Sequence, residues 1–146
     1  MATVLKQQMQ EFFDGYAKAS LSGDARAVSR AYFPIYIEAA PSGVGAFSVD
    51  DDYLKGLKVK SETMHTMGLT QSDVTVVAAD TIAAGCVLVD AKWHLRFAPP
   101  DAKAREATFH ISYVVRISEK APQILLAVSH DDEQQLLADI GLADGA

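Results

Sequence analysis

Three runs in the second half of the chain decide the fold: GCVLVDAKWHLRF (85–97), EATFHISYVVRIS (106–118) and QILLAVSH (123–130). Each alternates between an apolar face and a mixed or polar one, the period-two signature of a strand buried on one side. Short turns join them, which implies an antiparallel meander whose apolar face is covered by another layer. In the first run Val87, Val89, Ala91 and Trp93 form the apolar set, with Cys86, Leu88, Asp90, Lys92, His94 and Arg96 opposite. In the second, Phe109, Ile111, Tyr113 and Val115 oppose Thr108, His110, Ser112, Val114 and Arg116. In the third, strict alternation from Ile124 puts Leu126, Val128 and His130 on the inner face. A hairpin turning near Pro100 to Lys103 would set Trp93 across from Ile111, Ala91 across from Tyr113 and, outside, His94 across from His110.

The covering layer comes from the first half. Residues 4–22 carry Val4, Leu5, Met9, Phe12, Phe13, Tyr16, Ala17, Ala19 and Leu21, close to the i, i+3, i+4 stripe of an amphipathic helix that ends at Ser22-Gly23. Asp24 is a natural N-cap for a short helix to about Ala31. Pro34 stops it, and Ile35 to Ala39 reads as a short strand before the turn residues Pro41, Gly43 and Gly45. Asp50-Asp51-Asp52 opens a third helix over roughly 51–66. Three adjacent carboxylates there cap orphan amides and complement the positive helix end, and no later residue supplies ligands at the spacing of a calcium loop. After Gly68, Val74 to Ala79 begins the sheet, and Glu133 to Ile140 is a short helical tail. The expected architecture is α+β, with N-terminal helices packed on a curved antiparallel sheet in a cone that leaves room for a pocket.

Composition narrows the function. The 146 residues fit a single domain, 1–146, with 49% hydrophobic and 22% charged residues, ordinary for a soluble globular protein. The net charge of −6 and the lack of any basic cluster make nucleic acid a poor partner. Cys86 is the only cysteine, so an intrachain disulfide and a thiolate metal cluster are both impossible. No apolar run approaches the roughly 20 residues of a membrane span, and the polar N-terminal stretch MATVLKQQMQEFF is unlike a signal peptide. A cytoplasmic location is expected. There is no glycine-rich phosphate loop, G-x-S-x-G elbow or H-E-x-x-H, so no metal and no organic cofactor is expected. Ser129-His130-Asp131 has the residue types of a triad, but neighbours on a strand point to opposite faces.

Helix, helix, short strand, helix and long meander together resemble the nuclear-transport-factor-2-like (NTF2-like) superfamily, which includes the ketosteroid isomerases and SnoaL-like cyclases. Tyr16, Gly23-Asp24, Tyr32, Pro41 and Gly43 resemble the isomerase pattern in type and spacing, as does Tyr53 before Gly56-Leu57. Ser72-Asp73-Val74, Trp93 and Tyr113-Val114-Val115-Arg116 are similar to uncharacterised bacterial members. The resemblance implies that Tyr16 hydrogen-bonds a developing enolate oxygen, with Tyr32 and Tyr53 in support. It also exposes two departures. Ala40 stands where the isomerases carry their aspartate base, and Tyr113 where they carry a protonated aspartic acid. Steroid Δ-isomerisation is therefore not expected.

Two other groups are candidate bases. Glu38 lies two residues before Ala40 and shares its side of the strand. If that side is the pocket, Glu38 sits deeper in an apolar cavity, where desolvation tunes a carboxylate for general-base work; otherwise it pairs with a cation such as Arg30. His130 is the second candidate. Tyr16 and Tyr113 would donate to the oxyanion, and Tyr32, Tyr53, Trp93, Phe109, Ile111, Leu126 and Val128 would line the pocket. On the outer face His94 and His110 offer two zinc ligands without a third. Within the resembled superfamily that face commonly meets a second subunit, so Leu88, Val114 and Leu125 are expected in a homodimer interface. Three functions stay open: a small-molecule isomerase, cyclase or lyase using acid–base chemistry; a binding module for a small apolar ligand; and an assembly domain whose own side chains fill the pocket.

Overall fold

A computed structural model describes residues 2–100 and 102–141. Its elements are α1 (Ala2–Ser22), α2 (Ala25–Arg30), β1 (Tyr32–Ala40), β2 (Gly43–Ser48), α3 (Asp51–Thr66), β3 (Leu69–Ala83), β4 (Cys86–Phe97), β5 (Arg105–Arg116), β6 (Gln123–Ser129) and α4 (Glu133–Asp139). The strands form one sheet in the order β2-β1-β6-β5-β4-β3. The sheet is mixed rather than antiparallel throughout, because β1 runs parallel to β6 while every other pair is antiparallel. β1 is longer than the sequence pattern indicates, and β2 falls among glycines that read as turn residues. Pro34 is accommodated where the β1–β6 register shifts between Tyr32 and Ile37, a place that demands no N–H from it. Its carbonyl accepts from the Val49 amide at 2.8 Å.

The helix starts follow the expected chemistry. Asp24, Asp50 and Asp132 each accept from a backbone amide three residues on, at 3.1, 2.9 and 3.2 Å. Gly68 ends α3 with φ of 93°, and a Cβ there would lie 2.6 Å from the Pro99 nitrogen, so only glycine fits. Met9, Phe13 and Ala17 of α1 are buried against Val76, Val89, Val115 and Ile124 of the sheet. Gln10 fixes α1 to the edge strand β3, donating to the Val74 carbonyl at 2.8 Å and accepting from the Val76 amide at 2.7 Å. Those edge groups would otherwise lack partners.

Two registers differ from the sequence expectation. In the β4–β5 hairpin Trp93 faces Phe109 and Ala91 faces Ile111, two residues from the expected pairing. Phe97 pairs with Arg105, so the loop between them includes Pro99-Pro100, which cannot donate to a ladder. An even shift keeps every face, so the inner set on β4 and β5 stands as expected, but His94 now opposes Thr108 and Lys92 opposes His110. The change on β6 has larger consequences. Val115 pairs with Ile124 and Val114 with Leu126, leaving Leu125 as the extra residue of a β-bulge. One extra residue reverses the side-chain alternation. Ile124 and Ala127 are buried, whereas Leu126 and Val128 pair with the outward residues Val114 and Ser112.

Candidate functional site

All five tyrosines and the single tryptophan gather between α1, α3, β1, β4 and β5. The inward parity of β1 presents Tyr32, Tyr36 and Glu38, α1 presents Tyr16, α3 presents Tyr53, and the inner sheet face presents Trp93 and Tyr113. The Tyr16 ring meets Tyr32 and Trp93 edge-on at 5.6 and 5.7 Å, and Phe13 packs on Tyr113 at 4.6 Å.

The hydroxyls form two groups. Tyr16 and Tyr32 share a hydrogen bond. Tyr36 donates to Glu38 Oε1 at 2.9 Å and also bonds the Tyr53 hydroxyl. An ionised carboxylate only accepts, so the proton of Tyr36 goes to Glu38 and Tyr53 must donate to Tyr36. Tyr53 therefore supports Glu38 rather than Tyr16, which corrects the role the isomerase resemblance implied for it. Separately, the Trp93 Nε1–H donates to Tyr113 Oη at 2.9 Å. The Tyr113 oxygen is thereby satisfied, while its own proton has no acceptor among the described residues.

Tyr16, Tyr32, Glu38, Trp93 and Tyr113 line two adjoining pockets that share part of their wall, an inner and an outer lobe. The inner lobe, about 140 Å³, lies among Trp93, Leu95, Phe109, Leu57, Met64 and Val28. The outer lobe, about 450 Å³, is more polar, with Glu38, Ala40, Ser129, Asp131 and Asp132 on its walls. Tyr16, Lys60, Ile111, Tyr113 and Glu133 border both lobes and so define a waist. Burial pushes the Tyr16 hydroxyl well above the ordinary tyrosine range; the Tyr32 hydrogen bond opposes this, and the charges of Glu38 and Glu133 add to it. Tyr113 is raised by burial first, then by Tyr16, with Glu133 and Glu38 contributing. Both hydroxyls stay protonated at neutral pH and act as hydrogen-bond donors.

Of the residues singled out in the sequence, Tyr16, Tyr32, Trp93, Phe109, Ile111, Tyr113 and Glu38 come together around this cavity. Glu38 is exposed in the outer lobe rather than deep in an apolar one, and the described residues give it Tyr36 as a partner instead of Arg30. Tyr53 lines neither lobe; it bonds Tyr36, which in turn bonds Glu38. Leu126, Val128 and His130 are elsewhere, because the Leu125 bulge turns them outward. The His130 amide donates to the His110 carbonyl at 2.9 Å, and its Nε2 lies 2.7 Å from Ser112 Oγ, which donates to Asp90 at 2.7 Å. That constellation is on the opposite side of the sheet from Tyr16 and Tyr113. His94 bonds Glu106 at 3.1 Å, and among the described residues no three His, Cys, Asp or Glu side chains converge as a metal site. No described helix is long and apolar enough to cross a membrane.

Sequence reasoning missed Tyr36, Lys60 and Glu133. Tyr36 could have been found, since it shares the inward parity of Glu38. Glu133 could not, because nothing in the sequence says that α4 returns to the mouth of the cavity.

No sequence family and no curated protein sequence matches this chain. Solved structures do. An NTF2-like protein of unknown function from Shewanella oneidensis superposes with a TM-score of 0.66 at 14% identity, covering 86% of this chain and 98% of that one. A domain of unknown function with a cystatin-like fold from Nostoc punctiforme gives 0.69 at 12% identity over 95% and 86% of the two chains. A ketosteroid isomerase-like protein from Erwinia carotovora atroseptica gives 0.64 at 13% identity over 86% and 94%. At these identities the likeness is one of fold. This chain has the NTF2-like, cystatin-like α+β fold, with helices packed on a curved six-stranded sheet.

Proposed function

We propose that this protein, acting as a single domain, binds a small and largely apolar molecule bearing a carbonyl-type oxygen and acts on it by acid–base chemistry of the isomerase, cyclase or lyase kind. The observation that carries this reading is the waist of the cavity. Tyr113 is 2% exposed, its oxygen is occupied by Trp93, and its proton has no acceptor among the described residues. When Tyr32 donates to Tyr16, the Tyr16 proton is also left for the cavity. Two protonated hydroxyls facing a cavity form a binding site for an acceptor oxygen, and they strengthen their hold as negative charge develops on it. Apolar parts of the guest fill the inner lobe. Four carboxylates border the outer lobe; Asp131 accepts from the His110 amide and Asp132 caps α4, which leaves Glu38 and Glu133 as the candidates to receive a proton. Ala40 also borders it and supplies no base, so a steroid Δ-isomerase is not proposed.

A second reading, a binding module without turnover, is favoured by one specific observation: Glu38 is exposed and already engaged by Tyr36. For either reading we propose a homodimer through the outer sheet face. Ile35, Ile37, Val44, Leu88 and Val128 are exposed there, and Lys92 and Arg96 share the face with Asp90 and Glu106. Mixed charge around an apolar stripe suits a self-complementary two-fold contact. The lone thiol of Cys86 fits a reducing, cytoplasmic compartment.

The test uses Trp93, the only tryptophan. Titration with β-tetralone, a small bicyclic ketone, should quench its emission saturably, and Tyr113→Phe and Tyr16→Phe should each weaken binding about tenfold, the loss of one hydrogen bond of roughly 1.4 kcal/mol. Failure to saturate, or equal affinity in both variants, would remove the waist from the account.

A further inference from the structure

The sequence directs attention to Glu38, but the structure points to a different carboxylate. We propose that Glu133, the first residue of α4, is the general base of this site; the proposal rests on the reading of the waist as a carbonyl site. Three observations separate Glu133 from Glu38. Glu133 borders both lobes together with Tyr16 and Tyr113, whereas Glu38 borders only the outer lobe. Glu133 is half-buried, whereas Glu38 is exposed. Glu38 accepts a hydrogen bond from Tyr36, so one of its oxygens is already engaged. No hydrogen bond or ion pair within the described residues engages the Glu133 carboxylate.

The location is set by the backbone. Asp132 caps α4 by accepting from the Gln135 amide, and Ile140, Leu136 and Leu137 pack against the core. The helix is thereby held with its first side chain against both lobes. Lys60, which also borders both lobes, is the nearby cation and forms no ion pair within the described residues.

The step follows from this placement. A C–H bond next to the bound carbonyl breaks and its proton passes to a Glu133 Oε atom. The released electron pair forms the enolate double bond, and the carbonyl π pair moves onto the oxygen held by Tyr16 and Tyr113. Return of the proton to the same carbon, or to a conjugated one, restores the carboxylate. No oxidant, reductant or co-reactant enters. The substrate class is thus a carbonyl compound with an acidic α C–H.

The test is exchange of the α-protons of β-tetralone in heavy water, followed by proton NMR, with Trp93 quenching giving the affinity of the same ketone. Wild type should accelerate exchange above buffer. Glu133→Gln should lower the acceleration about 10²-fold or more, the usual contribution of a general base, with affinity within threefold, and the loss should exceed that in Glu38→Gln. Retained affinity in Glu133→Gln also shows that the variant is folded. Loss in Glu38→Gln with retention in Glu133→Gln would overturn the assignment. Binding without exchange in wild type would overturn it too and leave the binding reading intact. Absence of binding by wild type would overturn the waist itself, and the assignment with it.

Discussion

Raising the pH should unfold this protein through its tyrosines. Burial is the leading cause that lifts every one of the five hydroxyls above the ordinary range, although for Tyr16, Tyr53 and Tyr113 a hydrogen bond opposes the lift. Tyr32, Tyr36 and Tyr113 are 6%, 2% and 2% exposed, so the folded state cannot hydrate their phenolates. The sign follows from the direction of the shift. A folded value above the unfolded one leaves stability intact below about pH 10, the unfolded tyrosine value, and removes it above. One pH unit higher, each tyrosine that ionises only when unfolded favours the unfolded chain by about 1.4 kcal/mol. The three buried ones together contribute roughly 4 kcal/mol, a large share of the 5–15 kcal/mol that holds a typical domain together. Tyrosinate absorbance and far-ultraviolet circular dichroism, followed together along an alkaline titration, should therefore change in one cooperative step between about pH 10.5 and 12. Tyrosinate signal from most of the tyrosines rising around pH 10 with the dichroism intact would refute the burial of this cluster.

Two further outcomes follow. Tyr113→Phe removes the acceptor of the buried Trp93 N–H, so it should cost about 1–3 kcal/mol by denaturant titration and shift the Trp93 emission; an unchanged midpoint would deny the bond. Val128→Asp should cost the monomer less than about 0.5 kcal/mol, as expected of an outward position, and should dissociate the proposed homodimer in sedimentation. A loss of several kcal/mol would return Val128 to the inner face, and a dimer that survives would move the interface elsewhere.

Much of the fold was legible because burial writes itself into alternation. Val87 to Trp93 and Phe109 to Val115 declare their inner face, and Asp24 and Asp50 declare where helices begin. The bulge at Leu125 was not legible. QILLAVS is apolar at Ile124, Leu125, Leu126, Ala127 and Val128, so either parity satisfies the pattern, and only pairing with Val114 and Val115 chooses between them. That single residue carried His130, Leu126 and Val128 to the other face. The parallel β1–β6 contact was hidden for a similar reason, since partners far apart in sequence leave no local trace. At the site, the tyrosines were readable by type and spacing. The split of their hydroxyls into two groups depends on ring positions within a few ångströms, and Glu133 depends on where a terminal helix lands.

The most direct test of the account is a crystal structure of the protein soaked with β-tetralone. The ketone should lie across the waist with its rings toward Trp93 and Phe109 and its oxygen within about 3 Å of the Tyr16 and Tyr113 hydroxyls. A ketone bound elsewhere, or one whose oxygen turns away from both tyrosines, would contradict the claim that this cavity is built to hold a carbonyl.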